Sequence, residues 1–222
     1  MSDEYSQTYP SPKEMSSKAH LASFDDYETM YNLSLNTPVE FWRRVLDKAN
    51  FMFEKPYDVK NFVSYNFDTR KGRIFVEWMP GSSTNLCYNC LDRNVEKGLG
   101  DKVAFYWEGN QPDDDSKITY RELLDEVCKF ANVLRRLGVR RGHRVVIYLP
   151  MILELSVVML ACARIGAVHS IVFGGFSAEA LASRVIDAGA DIIVTANGVF
   201  RGKTLLKLKN IVDDAINLCR QK

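Results

Sequence analysis

The 222-residue sequence has few of the residues that build metal centres and disulfide frameworks. It contains three histidines and five cysteines, and the cysteines (Cys87, Cys90, Cys128, Cys162 and Cys219) are odd in number and irregular in spacing. A structural zinc site needs two further ligands besides one C-x-x-C such as Cys87 to Cys90. The composition therefore predicts no metal site and reduced thiols, as in a cytosolic protein.

A marked excess of charge and a targeting segment are also absent. The formal net charge of +1 disfavours a nucleic-acid-binding surface. The N-terminus lacks the basic start and apolar run of a signal peptide, and Asp3 and Glu4 disfavour a transit peptide. Pro150 and Glu154 interrupt the long apolar run at 145–163, which therefore divides into a strand and a helix. We expect neither nucleic acid nor membrane as a partner, and a cytoplasmic location with the nucleus as a second compartment.

Short apolar runs alternate with helical patterns in the second part of the chain. The predicted strands are 103–107, 144–149, 167–172 and 191–195, and the predicted helices are 85–97, 119–138, 151–165, 177–187 and 205–220. A capping box at Thr119 to Glu122 opens one helix, whose apolar stripe is Leu123, Val127, Phe130, Leu134 and Leu137. This alternation predicts an α/β fold, a mainly parallel sheet with helices on both faces.

The chain is predicted to have three parts. The polar residues 1–20 are predicted to be disordered, and 21–83 to form a small helical extension before the α/β region at 84–222. Within the extension, Thr37-Pro-Val-Glu40 predicts a helix start with an N-cap, a proline at the first position and a capping glutamate. A strand is expected at 73–78, and residues 113–116 are expected to be a solvated loop.

One loop has residues suited to phosphate. Asn197-Gly-Val-Phe-Arg-Gly-Lys-Thr204 follows a predicted strand and is close to a P-loop, G-x-x-x-x-G-K-[ST], with Asn197 in place of the first glycine. An ATP- or GTP-hydrolysing P-loop domain is one interpretation. Another is a phosphate-monoester site in which Arg201 offers a planar fork of donors and Lys203 a point charge. There Gly202 allows close backbone approach, and Thr204 caps the next helix or donates to the anion. The third interpretation is a solvated basic loop without a ligand.

Other polar residues favour structural roles. His169 in an apolar strand is expected to be a core histidine with its hydrogen bonds satisfied. Arg164 and Glu154 suit the two ends of one helix dipole. Asp213 and Asp214 are adjacent on a helix and diverge, so they do not form an acid–base pair. No catalytic residue is assigned.

An ordered series of motifs identifies a family. The motifs are Pro38-Val-Glu-Phe-Trp42, Asn89-Cys-Leu-Asp-Arg93, Ile118-Thr-Tyr-Arg-Glu-Leu123, Tyr148-Leu-Pro-Met-Ile152 and the run from Met159 to Ser177. In this order they resemble the acetyl-CoA synthetase family of adenylate-forming enzymes from about Phe24 to Lys222. The resemblance implies that 21–83 is the family's N-terminal extension and 84–222 the first part of its AMP-binding domain.

The resemblance also implies a reaction and a site. Family members make acetyl-CoA from acetate, ATP and coenzyme A through an acetyl-adenylate, and ATP is used with Mg²⁺. The resemblance implies that Arg201, Gly202, Lys203 and Thr204 contact the coenzyme A nucleotide and that Gly174 and Gly175 lie near its adenine. Thr204 stands where some members have a second arginine.

The family's ATP loop, acetate pocket and adenylation lysine do not occur in these 222 residues. The chain is therefore interpreted as an N-terminal fragment of an acetate–CoA ligase that is inactive alone. Acetate-dependent ATP–pyrophosphate exchange by the purified chain would refute that expectation. A propionate–CoA ligase and a non-catalytic truncated isoform remain alternatives, and the oligomeric state is open.

Overall fold

The computed structural model describes residues 9–221. The chain divides into two units, one ending at Ser83 and the other beginning at Thr84. Of the stretch 1–20, residues 1–8 lie outside the described residues, and Lys13–Ser16 form one short helix. Within residues 9–221, none of the helices combines the length and the apolar character needed to span a membrane.

Between residue 9 and Ser83, the first unit contains three α-helices and one antiparallel strand pair. These are α1 (Lys13–Ser16), α2 (Phe24–Asn36), α3 (Pro38–Lys48), β1 (Val63–Asn66) and β2 (Phe75–Trp78). Phe62 is the buried centre of this unit, with the rings of Tyr57 and Trp78 edge-on to it at centroid distances of 5.0 and 6.0 Å. The predicted strand at 73–78 is therefore present as β2, two residues shorter at its start.

The start of α3 agrees with the sequence only in part. Pro38 is at the first helical position, as predicted, but the Thr37 side chain does not cap the helix. Its hydroxyl donates to the Leu33 carbonyl at 3.3 Å, because Thr37 also closes the preceding helix. Glu40 accepts hydrogen bonds from Arg44 (2.8 Å) and Arg43 (3.2 Å). The predicted capping glutamate is thus wrong.

The second unit follows the predicted alternation and adds two antiparallel strand pairs. Its elements are β3 (Val103–Glu108), β4 (Asp115–Thr119), α4 (Tyr120–Arg136), β5 (Arg144–Tyr148), α5 (Leu153–Ile165), β6 (Val168–Ile171), α6 (Ala178–Ala188), β7 (Ile192–Thr195), β8 (Val199–Arg201), β9 (Thr204–Leu206) and α7 (Leu208–Arg220). The added pairs are β3–β4 and β8–β9. The predicted helix at 85–97 takes a π-helical form at Tyr88–Asp92 and again at Val95–Leu99. The expected loop at 113–116 is partly wrong, because β4 begins at Asp115 and pairs with β3.

A three-stranded parallel sheet in the order β6-β5-β7 forms the centre of this unit. The side chains of Val145 and Ile147 pack in one apolar cluster with residues of α4 and α5. Val146 and Tyr148 point the other way, into a cluster with residues of α6 and α7. Since successive strand residues face opposite sides, the continuous apolar run of β5 is buried on both faces. The predicted fold, a parallel sheet between helical layers, is confirmed.

Helix α4 supplies much of one layer. Its capping box is present, with Thr119 accepting from the Glu122 N–H and the Glu122 carboxylate accepting from the Thr119 N–H. Leu123, Val127 and Leu134 are buried, each contributing about 1.5–3 kcal/mol. Leu137 is 65% exposed, so the predicted stripe ends one turn early. The helix stops at Arg136, and the following turn brings Val139 into the core instead.

Candidate functional site

A cleft of about 770 Å³ lies where the parallel strands β5 and β6 end. Four segments line it: the β3–β4 connection, the chain after β5, the turn after β6 and the β8–β9 hairpin. Its lining residues are Trp107, Glu108, Gly109, Asn110, Gln111, Asp114, Leu149, Pro150, Met151, Ile152, Phe173, Gly174, Val199, Phe200, Arg201, Gly202 and Lys203. In open α/β sheets, ligands bind outside the carboxyl ends of the strands, which is where this cleft lies.

The candidate phosphate loop is a β-hairpin. Arg201 on β8 pairs with Thr204 on β9, and Gly202 and Lys203 form the two-residue turn between them. Gly202 has a φ of +59°, which the first position of such a turn favours and which glycine adopts without strain. The backbone of this loop therefore folds on itself rather than around an anion.

This geometry excludes the P-loop interpretation. A P-loop requires the helix to begin at its Lys-[Ser/Thr] end, whereas α7 begins only at Leu208. Thr204 lies in β9, and Lys207 occupies the N-cap of α7, so the expected capping role of Thr204 is wrong. Arg201, Gly202 and Lys203 line the cleft, and Thr204 does not.

Two side chains from the β3–β4 region hold the walls of the cleft together. The Asn110 side-chain amide donates to the Phe200 carbonyl of the hairpin at 2.9 Å. The Trp107 indole N–H donates to the Met151 carbonyl, after β5, at 2.7 Å. These bonds bridge 90 and 44 residues of sequence, so they tie the hairpin and the β5 end to one common support.

The turn after β6 is fixed by a buried tyrosine. The Gly175 N–H donates to the Tyr148 hydroxyl at 3.0 Å, and the hydroxyl donates to the Phe176 carbonyl at 2.7 Å. Gly175 has a φ of +113°, and a Cβ added at Gly174 would lie 3.1 Å from the Leu149 carbonyl oxygen. The turn thus needs glycines for both conformation and close approach.

Arg201 is the residue at which the hairpin and the glycine turn meet. Its guanidinium carbon lies 5.7 Å from the centroid of the Phe173 ring, a cation–π distance. A Cβ added at Gly175 would lie 3.2 Å from an Arg201 guanidinium nitrogen. The predicted residues Gly174, Gly175, Arg201, Gly202 and Lys203 are therefore neighbours in the structure.

The charges of the cleft are divided between its sides. Among residues 9–221, no carboxylate lies within ion-pair distance of Arg201 or Lys203. The acidic residues of the lining, Glu108 and Asp114, belong to the β3–β4 side. An anion is therefore favoured at the hairpin, where both cations are exposed and unpaired.

The other sequence candidates have the following places. Among residues 9–221, no hydrogen-bond partner reaches the buried Nδ1 atom of His169 on β6, so the expectation of a satisfied histidine is wrong. Burial lowers the pKa of this histidine. Arg164 and Glu154 lie in the last and first turns of α5, as predicted. Of the two adjacent aspartates, Asp213 forms an ion pair with Lys209, with 2.6 Å between Nζ and Oδ1, and within residues 9–221 Asp214 forms none.

Two of the thiols are buried, which affects their pKa values. All five cysteines are free, and burial raises the pKa of Cys87 and of Cys162 to about 11. For Cys87 this burial outweighs the neighbouring Arg164 guanidinium. Within residues 9–221, no group of three or more His, Cys, Asp or Glu side chains is placed to hold a metal ion.

Sequence reasoning missed the supports of the site. Asn110 lies in a polar connection and Trp107 lies in strand β3, and neither segment carries a motif. Tyr148 offered the one usable signal, a hydroxyl directly after the aliphatic residues 145–147 of β5. A buried tyrosine hydroxyl needs a hydrogen-bond partner, and here the partners are the backbone of the glycine turn.

Together, the parallel sheet, the glycine turn and the basic hairpin define an α/β protein with a cleft at its strand ends. Comparison with known proteins gives the family. Residues 91–220 match the AMP-binding enzyme family, and residues 27–90 match the acetyl-coenzyme A synthetase N-terminus. The first match covers more than half of the chain, and the chain belongs to the AMP-binding enzyme family.

Three of the similar proteins are acetyl-coenzyme A synthetases. The chain is 55% identical over 208 residues to an acetyl-coenzyme A synthetase of Drosophila melanogaster, covering 93% of this chain and 31% of the relative. It is 49% identical over 216 residues to the chloroplastic/glyoxysomal acetyl-coenzyme A synthetase of Arabidopsis thaliana, covering 97% and 28%. An acetyl-coenzyme A synthetase of Magnetococcus marinus is 46% identical, covering 96% and 32%. The chain thus spans about a third of the length of these relatives.

Proposed function

We propose that residues 84–222 provide the coenzyme A side of an acetate–CoA ligase, which makes acetyl-CoA from acetate, ATP and coenzyme A through an acetyl-adenylate. The names of the relatives support the reaction. The binding role rests on two cations, Arg201 and Lys203, which have no ion-pair partner within residues 9–221. Both lie on a hairpin that closes one side of the cleft.

Arg201 is suited to the 3′-phosphate of coenzyme A. Its guanidinium offers several donors in one plane, and the Phe173 ring holds it in place from one side. Lys203, in the turn of the same hairpin, adds a mobile point charge. Because no carboxylate within residues 9–221 pairs with Arg201, its charge is available without the loss of an existing ion pair.

The glycine turn is suited to the adenine end of the same nucleotide. Gly174 and Phe173 line the cleft beside the hairpin, and Phe173 is exposed. A planar base can lie against an exposed aromatic ring and a turn without side chains. We therefore assign Gly174 and Gly175 to shape, and Arg201 and Lys203 to charge.

Acetate, ATP and its Mg²⁺ are assigned to segments that these 222 residues do not include. The family's loop for ATP and its adenylation lysine have no counterpart in this sequence. The chain therefore contributes binding and orientation of coenzyme A rather than a reacting group. Acetate as the acyl substrate rests on the names of the relatives alone.

Calorimetric titration of the 222-residue chain with coenzyme A and with 3′-dephospho-coenzyme A tests the binding role. We expect the unaltered chain to bind coenzyme A at least about tenfold more tightly than 3′-dephospho-coenzyme A, because a charge-assisted contact contributes about 1.5–3 kcal/mol. Arg201→Ala should remove this difference. Arg184→Ala removes an arginine of α6 that does not line the cleft, and it should leave the difference intact.

A kinetic experiment separates coenzyme A binding from ATP use. Residues 1–222 would be joined to the remaining part of the Drosophila relative to give a full-length ligase. There Arg201→Ala should raise the KM for coenzyme A and leave acetate-dependent ATP–pyrophosphate exchange unchanged, because adenylation precedes coenzyme A attack. Impaired exchange with an unchanged KM for coenzyme A would contradict the proposal.

A further inference from the structure

A second cleft, of about 620 Å³, lies at the opposite end of the parallel sheet, before the start of β5. It lies between the last turns of α4 and α5 and the π-helical segment Tyr88–Asp92. Its charged lining residues are Arg135, Arg140, Arg141, Arg164 and Asp92. This amino-end cleft shares none of its lining residues with the cleft at the strand ends.

Two of the four arginines are already engaged. Arg164 forms a two-pronged ion pair with Asp92, at 2.8 and 2.9 Å, which uses the one acidic residue of the lining. Arg140 donates to the carbonyls of Arg135 and Val139, at 2.7 and 2.8 Å, and so closes the end of α4. Asn85 similarly closes α5, through the carbonyls of Ala163 and Arg164.

The guanidiniums of Arg135 and Arg141 are not engaged. Among residues 9–221, neither group has a hydrogen bond or an ion pair. The stem of Arg141 lies on Gly166, where an added Cβ would be 3.1 Å from its Cγ, so the position of the stem is set by packing. Asn132, one turn before Arg135 on α4, adds an amide to the lining.

The charge balance of the amino-end cleft is positive. The helices α4 and α5 both end there, and each C-terminus acts as about half a negative charge. Four arginines, one aspartate and two helix ends leave a balance of about +2. Counting Glu96, which accepts from the lining Tyr88 hydroxyl at 2.8 Å, still leaves about +1. Helix capping therefore explains Arg140, and the ion pair with Asp92 explains Arg164, but neither explains the remaining charge.

We propose that the amino-end cleft binds a small anion with two adjacent phosphate groups, at a site separate from the coenzyme A cleft. Each free guanidinium can hold one phosphate through paired hydrogen bonds, and Arg135 and Arg141 stand on two different segments at the rim. The volume lies in the range of small-molecule sites. The diphosphate can be free or part of a nucleotide.

Calorimetric titration of the 222-residue chain with pyrophosphate tests this site directly. We expect one ligand per chain, and at least a tenfold loss of affinity in the double variant Arg135→Gln with Arg141→Gln. Glutamine keeps the first two carbons of each stem, and thermal unfolding would confirm that the variant is folded. The matched control is Arg136→Gln, which removes the neighbouring arginine of α4 outside the lining.

Two further measurements separate this site from other sources of binding. Arg201→Gln should leave pyrophosphate affinity unchanged, and the amide signals of Asn132 and Gly142 should shift on titration while that of Gly175 does not. Tighter binding of ADP than of pyrophosphate would assign the diphosphate to a nucleotide, and equal binding would assign it to the free anion. Absence of binding, an equal loss in Arg136→Gln, or loss in Arg201→Gln would overturn the proposal.

Discussion

The two ends of the parallel sheet use arginine in opposite ways. At the carboxyl end, Arg201 lies over the Phe173 ring and has no carboxylate partner within residues 9–221. At the amino end, Arg144 donates to the carbonyls of Ala188 and Gly189 at the end of α6, and Arg140 does the same for α4. In a parallel βαβ arrangement, helices end where the strands begin, so the amino end collects carbonyl groups that need donors.

This difference shows how position in the fold decides what a cation does. An arginine beside a helix C-terminus stabilises the fold, and it is free for a ligand only when the carbonyls already have other donors. An arginine on a hairpin at the strand ends has no such competitor. The amino-end cleft is the informative intermediate. There Arg140 serves a helix end and Arg164 is paired with Asp92, whereas the other two arginines of the lining have no such partner within residues 9–221.

Breaking the Asp92–Arg164 pair should have the largest effect on stability. Asp92→Asn leaves the Arg164 charge without its partner in a site where the two side chains are 17% and 30% exposed. A fully buried pair loses about 3–5 kcal/mol when one partner is removed, and this partial exposure reduces the expected loss to about 2–3 kcal/mol. Urea unfolding of the chain would measure the change in the free energy of unfolding.

The control for this variant is an exposed pair in the same unit. Lys209 and Asp213 on α7 are 55% and 53% exposed, so Asp213→Asn should cost less than about 1 kcal/mol. Equal losses for the two variants would mean that the amino end is not held together by Arg164. The structural role given there to arginine would then be wrong.

Removing the Tyr148 hydroxyl should have an intermediate effect, confined to the carboxyl end. Tyr148→Phe leaves the Gly175 N–H and the Phe176 carbonyl without their partner. Because both residues are exposed, water replaces part of the loss, and we expect a decrease of about 1–2 kcal/mol in unfolding free energy. Coenzyme A affinity should fall as well, because the Tyr148 hydroxyl no longer holds the turn beside Arg201 in place.

Tyr106→Phe is the matched control, since Tyr106 on β3 is 80% exposed and should change neither quantity. A loss of stability in Tyr148→Phe with unchanged coenzyme A affinity would mean that the position of the glycine turn does not affect ligand binding. The titration used for Arg201 measures both variants.

The sequence predicted the sheet better than the site for a physical reason. The apolar run of β5 is buried on both faces, and such a run has few alternatives to a central parallel strand. The conformation of the segment around Gly202 is harder to predict, because glycine followed by lysine suits both a phosphate loop and a two-residue hairpin turn. The strand-forming residues on each side, Val199-Phe200 and Leu205-Leu206, were the signal for the hairpin.

The contacts of the site could not be predicted in the same way. The bond from Asn110 to Phe200 and that from Tyr148 to Gly175 join segments far apart in sequence. Local patterns contain no information about such pairs. The π-helical form of Tyr88–Asp92 also leaves no distinct periodic pattern in so short a segment.

Gly175→Ala should have the smallest effect on stability and still reach the ligand site. At a φ of +113° an alanine is strained by about 1 kcal/mol, and its Cβ would lie 3.2 Å from an Arg201 guanidinium nitrogen. The guanidinium must then shift by a few tenths of an ångström from its place over the Phe173 ring. We expect a loss of about 1 kcal/mol in unfolding free energy, together with a severalfold weaker binding of coenzyme A.

Gly72→Ala separates these two consequences, because Gly72 has a nearly equal φ of +110° and no atom within 4 Å of an added Cβ. It should show the same backbone strain and unchanged coenzyme A affinity. If Gly175→Ala also leaves coenzyme A affinity unchanged, then the position of Arg201 on the Phe173 ring does not matter for binding. The contrast between a free arginine at the carboxyl end and engaged arginines at the amino end would then describe the fold alone.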